Sequence, residues 1–383
     1  MPKEALFPSV RAVVETLKPS YPVYCLRPKE IRRCARLFLD QFPGRVLYAT
    51  KCNPHPIVLN ALYKEGIRHF DTASLTEVAL IRESFPDVDA YFMHPVKVRA
   101  SIQAAHDIYR VDHWVIDHEN ELRKIVEVCG GGDGQVMLVR LATKAFGAAF
   151  ELSNKFGASA EAAVDLLRMS AREGFQCGLA FHVGSQCRNP EAFRDAFRIV
   201  KGVLEASGVH IHYLDVGGGF PVPYVDDNPP PLEDFVGAIK EGLALLRVRG
   251  DCVLMCEPGR SLVASGSSLL TQIQLRKENA LYINDGIYHS LSETVAAHIR
   301  HPARLIRAIG TPSETMRPYT IFGPTCDSMD VLPYTIDLPE DAREGDWIEF
   351  GQAGAYTNAT RTNFNGFYPE TFVTVDDGPL LPA

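Results

Sequence analysis

Short apolar runs recur along the first two thirds of the chain, each followed by a longer amphipathic stretch. The runs are Arg45–Leu47, His69–Asp71, Ala90–Met93, His113–Ile116, Val136–Leu141, Gly178–His182, His212–Val216 and Val253–Glu257. Between them, segments such as Leu75–Ser84 and Pro190–Ala206 carry apolar residues near helical spacing. Strands that alternate with helices predict a parallel sheet, and eight alternations predict its closure into a barrel. The stretch Asp226-Asp227-Asn228-Pro229-Pro230-Pro231 reads as a loop inside this region, not as a linker. After about Ser265 the texture changes. Leu269–Leu275, Ala280–Ile283, Tyr319–Phe322 and Trp347–Phe350 are separated by Gly, Pro and Asp turns, the pattern of a mostly β region.

Chemistry-bearing residues sit at the ends of these runs. Lys51, in Tyr48-Ala49-Thr50-Lys51-Cys52-Asn53-Pro54, directly follows the first apolar run. Active sites of (β/α)₈ barrels are built where strands end at the C-terminal face. Glu257 opens Glu257-Pro258-Gly259-Arg260 after the last run, and His182 ends another. Gly217-Gly218-Gly219 follows His212–Val216, and glycines let backbone amides approach an anion closely. Gly259 and Arg260 supply a second loop at the same face, and phosphate sites of such barrels commonly lie between late strands.

Composition narrows the class. A chain of 383 residues holds a barrel of roughly 250 residues and a smaller partner. A net charge of −8 argues against a nucleic-acid binder and gives no support to an anionic-membrane reading. No apolar run approaches the roughly 20 residues of a membrane span. Met1–Phe7 lacks the basic-then-apolar pattern of a secretory signal. Nine irregularly spaced cysteines without a Cys-x-x-Cys pair argue against a metal or disulfide framework. A reduced, cytoplasmic setting is expected.

Lys51, His182-Val183-Gly184-Ser185, Gly217-Gly218-Gly219-Phe220-Pro221, Glu257-Pro258-Gly259-Arg260 and Gly323-Pro324-Thr325-Cys326-Asp327-Ser328 together, in this order, resemble the ornithine/diaminopimelate/arginine decarboxylases. These are pyridoxal-phosphate (PLP) enzymes of alanine-racemase-like fold, fold type III. The resemblance runs from about Tyr24 to Phe372. It implies an α/β fold: a PLP-binding (β/α)₈ TIM barrel over 27–264, with 1–26 and 265–383 forming a mostly β domain. It implies a catalytic set of Lys51, which anchors the cofactor, Glu257 against the ring nitrogen, His182 stacked on the ring, and Cys326, which returns a proton after CO₂ leaves. Asp71, Glu77 and Arg140 match charged residues around the ring. Ser185, Gly218, Gly219, Gly259, Arg260 and Tyr356 match the phosphate cradle. Asp327, Tyr356 and Phe364 are expected at the substrate. Cys326 and Asp327 would enter from the other subunit of a head-to-tail homodimer. Near a cationic cofactor, Lys51 is expected to have a lowered pKa.

One departure bears on the substrate. Eukaryotic ornithine decarboxylases carry a Tyr-Asp pair downstream of Asn-Asp-Gly-Val-Tyr, whereas this chain has Asn284-Asp285-Gly286-Ile287-Tyr288 followed by Ala296-Ala297. The bacterial relatives instead carry Glu-Thr in this stretch, a pattern that Glu293-Thr294 matches, and Glu293 is expected to join Asp327 in holding the distal ammonium. The implied reaction is decarboxylation of a basic L-amino acid, L-ornithine to putrescine first and lysine to cadaverine second, in polyamine synthesis. Arginine, diaminopimelate, carboxynorspermidine, racemisation and an inactive regulatory homologue remain as alternatives. The sequence offers no role for His94.

Overall fold

The computed structural model describes residues 6–143, 155–246, 248 and 250–382. Residues 1–5, part of the segment expected to join the β region, lie outside the described residues.

Eight parallel strands close into a barrel. They are Arg45–Ala49, His69–Thr72, Asp89–Phe92, His113–Ile116, Val136–Arg140, Gln176–Ala180, Tyr213–Asp215 and Val253–Cys256. The last pairs with the first, Met255 opposite Arg45. Successive side chains of a strand point to opposite faces. Val46 and Tyr48 accordingly join the large core between strands and helices. Leu47 joins a separate cluster with Tyr91, Val115, Leu138 and Met255, drawn from the strands themselves. Burial on both faces explains why these strands read as continuous apolar runs. Five of them end one or two residues earlier than the apolar pattern suggests, among them those ending at Ala180 and Cys256, so His182 and Glu257 lie on the loops just beyond.

The helices between strands are stopped by ordinary local signals. Leu75–Ser84 is capped by the Ser74 hydroxyl, which accepts from the Glu77 amide. Glu191–Ser207 ends at Gly208 in the left-handed region. The proline-rich loop leads into the helix Leu232–Ala244, with Pro231 at its cap. Among the described residues, no helix is long and apolar enough to cross a membrane.

A nine-stranded sheet stands beside the barrel. Its central strand, Ser267–Lys277, pairs antiparallel with Val23–Leu26, Ala280–Ile283 and Trp347–Phe350. Thr371–Val375 runs parallel to Val23–Leu26, with Leu6–Phe7 at the edge. Strands before and after the barrel thus share one sheet. Arg27 ties the junction. Its buried guanidinium donates to Ser268 Oγ at 2.6 Å, to Glu349 Oε1 at 3.0 Å and to Asp377 Oδ1 at 3.0 Å.

Breaking a buried ion pair strands a charge in a low dielectric. Arg27→Met should therefore lower unfolding stability by roughly 3 kcal/mol, the low end for such a break, because Arg304 still reaches Glu349. Urea unfolding measures the difference, and a loss below about 1 kcal/mol would contradict this assignment of Arg27.

Candidate active site

Parallel closure brings the C-terminal end of every barrel strand to one face, and the charged residues lie there. Lys51 sits in the single 3₁₀ turn Thr50–Cys52 that leaves the first strand. Asp71 lies near the end of the second, and Arg140 ends the fifth. His182, Asp215 and Glu257 are at or just past the ends of the last three. A cavity of about 600 Å³ opens over them. Lys51, Asp71, Arg140, His182, Ser185, Gly219, Glu257, Gly259, Arg260, Glu293 and Tyr356 all line it.

The Lys51 Nζ donates to Asp71 Oδ2 at 2.6 Å. Of its side chain 46% is open, but the opening is into the cavity. Burial disfavours the ammonium, yet the Asp71 and Glu257 carboxylates outweigh it and hold the Lys51 pKa above its ordinary value. The expected lowering is therefore not a property of the protein groups alone. A cationic partner would have to supply it, and Asp71 is the nearest acceptor for a proton of Lys51.

Asp215, which the sequence reading passed over, completes the cluster. It is fully buried, and its Oδ1 accepts from the Gly217 amide at 2.8 Å. Burial and the charge of Asp215 push the Glu257 pKa well up, and burial raises Asp215 too. Asp71, Asp215 and Glu257 thus oppose Lys51 and Arg140, three acids against two bases. A cationic ring nitrogen balances that set, as the pyridinium of PLP would.

His182 is held neutral, with burial and the charges of Arg140 and Lys51 taking its pKa down to about 3. Its Nδ1 accepts from the Gly184 amide at 2.9 Å, so the neutral ring carries its proton on Nε2. That suits a ring that stacks and exchanges no proton.

The glycine loops are packed too tightly for side chains. A Cβ on Gly218 would lie 2.6 Å from the Glu257 carbonyl and 3.2 Å from His182 Nε2. Gly219 has φ +98°, and a Cβ there would lie 2.5 Å from the Gly184 carbonyl. The backbone therefore forms part of the cavity wall where Ser185, Gly259, Arg260 and Tyr356 also meet, a suitable cradle for a phosphate. Tyr356, with φ +61°, is held by a hydrogen bond that its amide donates to the Cys52 carbonyl at 2.8 Å. Glu77 turns instead to the loop before its helix, where it accepts from the Ala73 amide at 2.7 Å.

Three expected substrate or catalytic residues lie elsewhere. Cys326, Asp327 and Phe364 do not line the cavity of their own chain. Cys326 is the one exposed cysteine, and its amide donates to Asn365 Oδ1 at 3.1 Å. Tyr288 donates to Asp327 at 2.5 Å and lies 4.9 Å from the Phe364 ring. That hydrogen bond holds Asp327 below the usual carboxylate range. Buried Asp330 builds this surface: its carboxylate accepts from the Ile287 and Thr325 amides, both at 3.0 Å. A Cβ on either Gly286 or Gly323 would lie 2.2 Å from it.

Glu293 has a partner within its own chain. It is buried, and its carboxylate grips Arg260 with both oxygens, at 2.6 and 2.8 Å. The pair lies beside Ser185 and Tyr356, and Asp327 of the same chain does not line this cavity. His94 gains a place: it lines the cavity with its ring edge-on to Phe156. Buried Lys97 fixes that segment, donating to the His94 carbonyl at 2.9 Å and the Val115 carbonyl at 2.7 Å.

Comparison with known proteins follows the same outline. The family model "Pyridoxal-dependent decarboxylase, pyridoxal binding domain" matches residues 28–264. The lysine/ornithine decarboxylase of Selenomonas ruminantium is 34% identical over 88% of this chain and 85% of its own length. The structure of the Vibrio vulnificus lysine/ornithine decarboxylase complexed with putrescine superposes with a TM-score of 0.83 at 32% identity, covering 95% of this chain and 96% of that one. The arginine decarboxylase of Paramecium bursaria Chlorella virus, bound to agmatine, gives a TM-score of 0.84 at 27% identity, covering 96% and 99%.

A raised carboxyl pKa means the folded state binds more protons than the unfolded at mildly acid pH. The stabilisation is complete below the ordinary carboxylate range and is lost as pH rises through the raised value. Between about pH 4 and about 7, the melting temperature of the cofactor-free protein carries this downward contribution. Asp215→Asn should flatten that part of the profile, and an unchanged slope would contradict the coupling.

Proposed function

The chain belongs to the PLP-dependent decarboxylase family, and from that premise we propose that it removes the α-carboxylate of a basic L-amino acid, L-ornithine or L-lysine, as CO₂. The observation that carries the proposal is the meeting of Lys51, Glu257 and the phosphate cradle in one cavity. Relatives that act on lysine, ornithine and arginine support the substrate class.

PLP, when bound, supplies the electron sink for the pair left by the departing carboxylate. Lys51 would anchor it and yield its place to the substrate amine. Glu257 would keep the ring nitrogen protonated, and a protonated ring stabilises the charge that develops as the bond breaks. His182 would cover the ring face without exchanging protons. Arg260, Ser185, Gly218, Gly219, Gly259 and Tyr356 would hold the phosphate. Ala49, Ala73, Met93, Phe156 and Phe220 make much of the remaining wall apolar, a setting that favours loss of a carboxylate as neutral CO₂.

The proton that replaces CO₂ on the α-carbon would come from the Cys326 thiol of a second subunit. The exposure of Cys326 on a surface prepared by Asp330 supports this reading, as does its position outside its own cavity. Asp327, held ionised by Tyr288, would meet the distal ammonium. Because Glu293 is taken by Arg260, Asp327 carries that task without it.

A longer substrate is the second reading. Ala296 lines the cavity where the eukaryotic pattern has tyrosine, which leaves room for lysine or arginine. Ornithine and lysine differ by one methylene, and a pocket separates such pairs by only roughly 1–3 kcal/mol.

Purified protein loaded with PLP should release CO₂ from L-ornithine or L-lysine and yield the matching diamine. The panel includes L-arginine, diaminopimelate and the D-forms. No release from any basic amino acid by a yellow, loaded protein would overturn the substrate class. Lys51→Ala and Cys326→Ala should each be inactive alone, and mixing the two should restore activity through hybrid sites. Full activity of Cys326→Ala, or no recovery on mixing, would count against shared sites.

A further inference from the structure

Arg260 and Glu293 come from different parts of the fold, 33 positions apart. Arg260 follows the last barrel strand, and Glu293 opens the short helix Glu293–Ala296 beyond it. Their side chains are only 4% and 8% exposed. Besides its two bonds to Glu293, the guanidinium donates to the Tyr224 hydroxyl at 2.9 Å and approaches Ser185 Oγ at 3.5 Å. The Tyr356 ring centre lies 5.1 Å away. Among the described residues, none accepts from the buried Arg260 Nε.

The pair is a closed electrostatic unit. Glu293 cancels the positive charge that Arg260 brings to the cradle, and it occupies the fork of the guanidinium that suits an oxyanion best. A phosphate among Ser185, Gly219, Gly259 and Tyr356 would be a second anion beside the same cation. Two anions at one buried guanidinium repel each other, so each weakens the hold of the other. Without either, Arg260 would be a buried cation lacking a partner, which is strongly destabilising.

We propose that Glu293 is an internal counter-anion for Arg260: it keeps the arginine paired and placed, and it competes with the cofactor phosphate for it. Glu293 is thus a positioning residue of the phosphate end, with a cost in cofactor retention. The inference rests on reading this cavity as the PLP site, and it assigns Glu293 a task other than the recognition of a substrate ammonium.

The test is equilibrium titration of cofactor-depleted protein with PLP, and separately with inorganic phosphate, alongside melting temperatures with and without PLP. Glu293→Gln should bind PLP more tightly, on the order of tenfold, because the rival charge is gone and Arg260 has no other anion. The same variant should melt lower than wild type without PLP and recover most of the difference with it. Inorganic phosphate should tighten in parallel. Glu293→Asp keeps the charge but has a shorter reach, so it should fall between the two proteins. It also serves as the probe if Glu293→Gln fails to fold. Weaker or unchanged PLP affinity in the variants overturns the proposal. A wild-type protein that binds no PLP overturns the reading of the cavity itself, and the proposal with it.

Discussion

Charges gathered inside a barrel mouth must be balanced, and that constraint organises this structure. Asp71 and Glu257 face Lys51 and Arg140 across the cavity, with Asp215 fully buried behind them. The protein groups alone leave one acid in excess. Burial first, and the neighbouring acids after it, push the carboxyl pKa values of Asp215 and Glu257 up, while the Asp71 and Glu257 carboxylates hold the Lys51 ammonium protonated against its burial. A cationic ring nitrogen relieves both at once, which makes the cofactor part of the charge balance of the site. The same demand recurs at the phosphate end, where Arg260 is buried and Glu293 meets its charge.

Much of this was legible in the sequence, and the reasons are physical. Parallel strands buried on both faces read as apolar runs, so all eight barrel strands can be located from pattern alone. The residues at their ends can be located with them, since a strand's end defines the face. Gly218 and Gly219 are legible because the close approach of Glu257 and Gly184 leaves no room for a side chain. The order of the nine-stranded sheet was not legible. Thr371–Val375 joins Val23–Leu26 across almost the whole chain, and no local signal specifies that pairing.

What escaped the sequence depended on tertiary partners. Asp215 falls inside the strand run His212–Val216 and carries no signal of its own there, and only burial beside Glu257 makes it an acid with a raised pKa. Asp330 looks like any loop aspartate until two glycine segments close on it. Glu293 is expected at the substrate because Glu293-Thr294 matches the bacterial Glu-Thr pattern and one expected carboxylate is missing from Ala296-Ala297. Its true neighbour, Arg260, belongs to another motif, and no spacing rule links the two. His94 needed the cavity itself to acquire a place.

The central claim is that the charge-compensated lysine at the barrel mouth is the cofactor anchor. Borohydride reduction of the PLP-loaded protein, followed by peptide mass spectrometry, tests it most directly. The account predicts a phosphopyridoxyl group on the peptide that contains Lys51 and on no other lysine. A label on Lys97 or Lys155, or no stable label in a loaded protein, would contradict it.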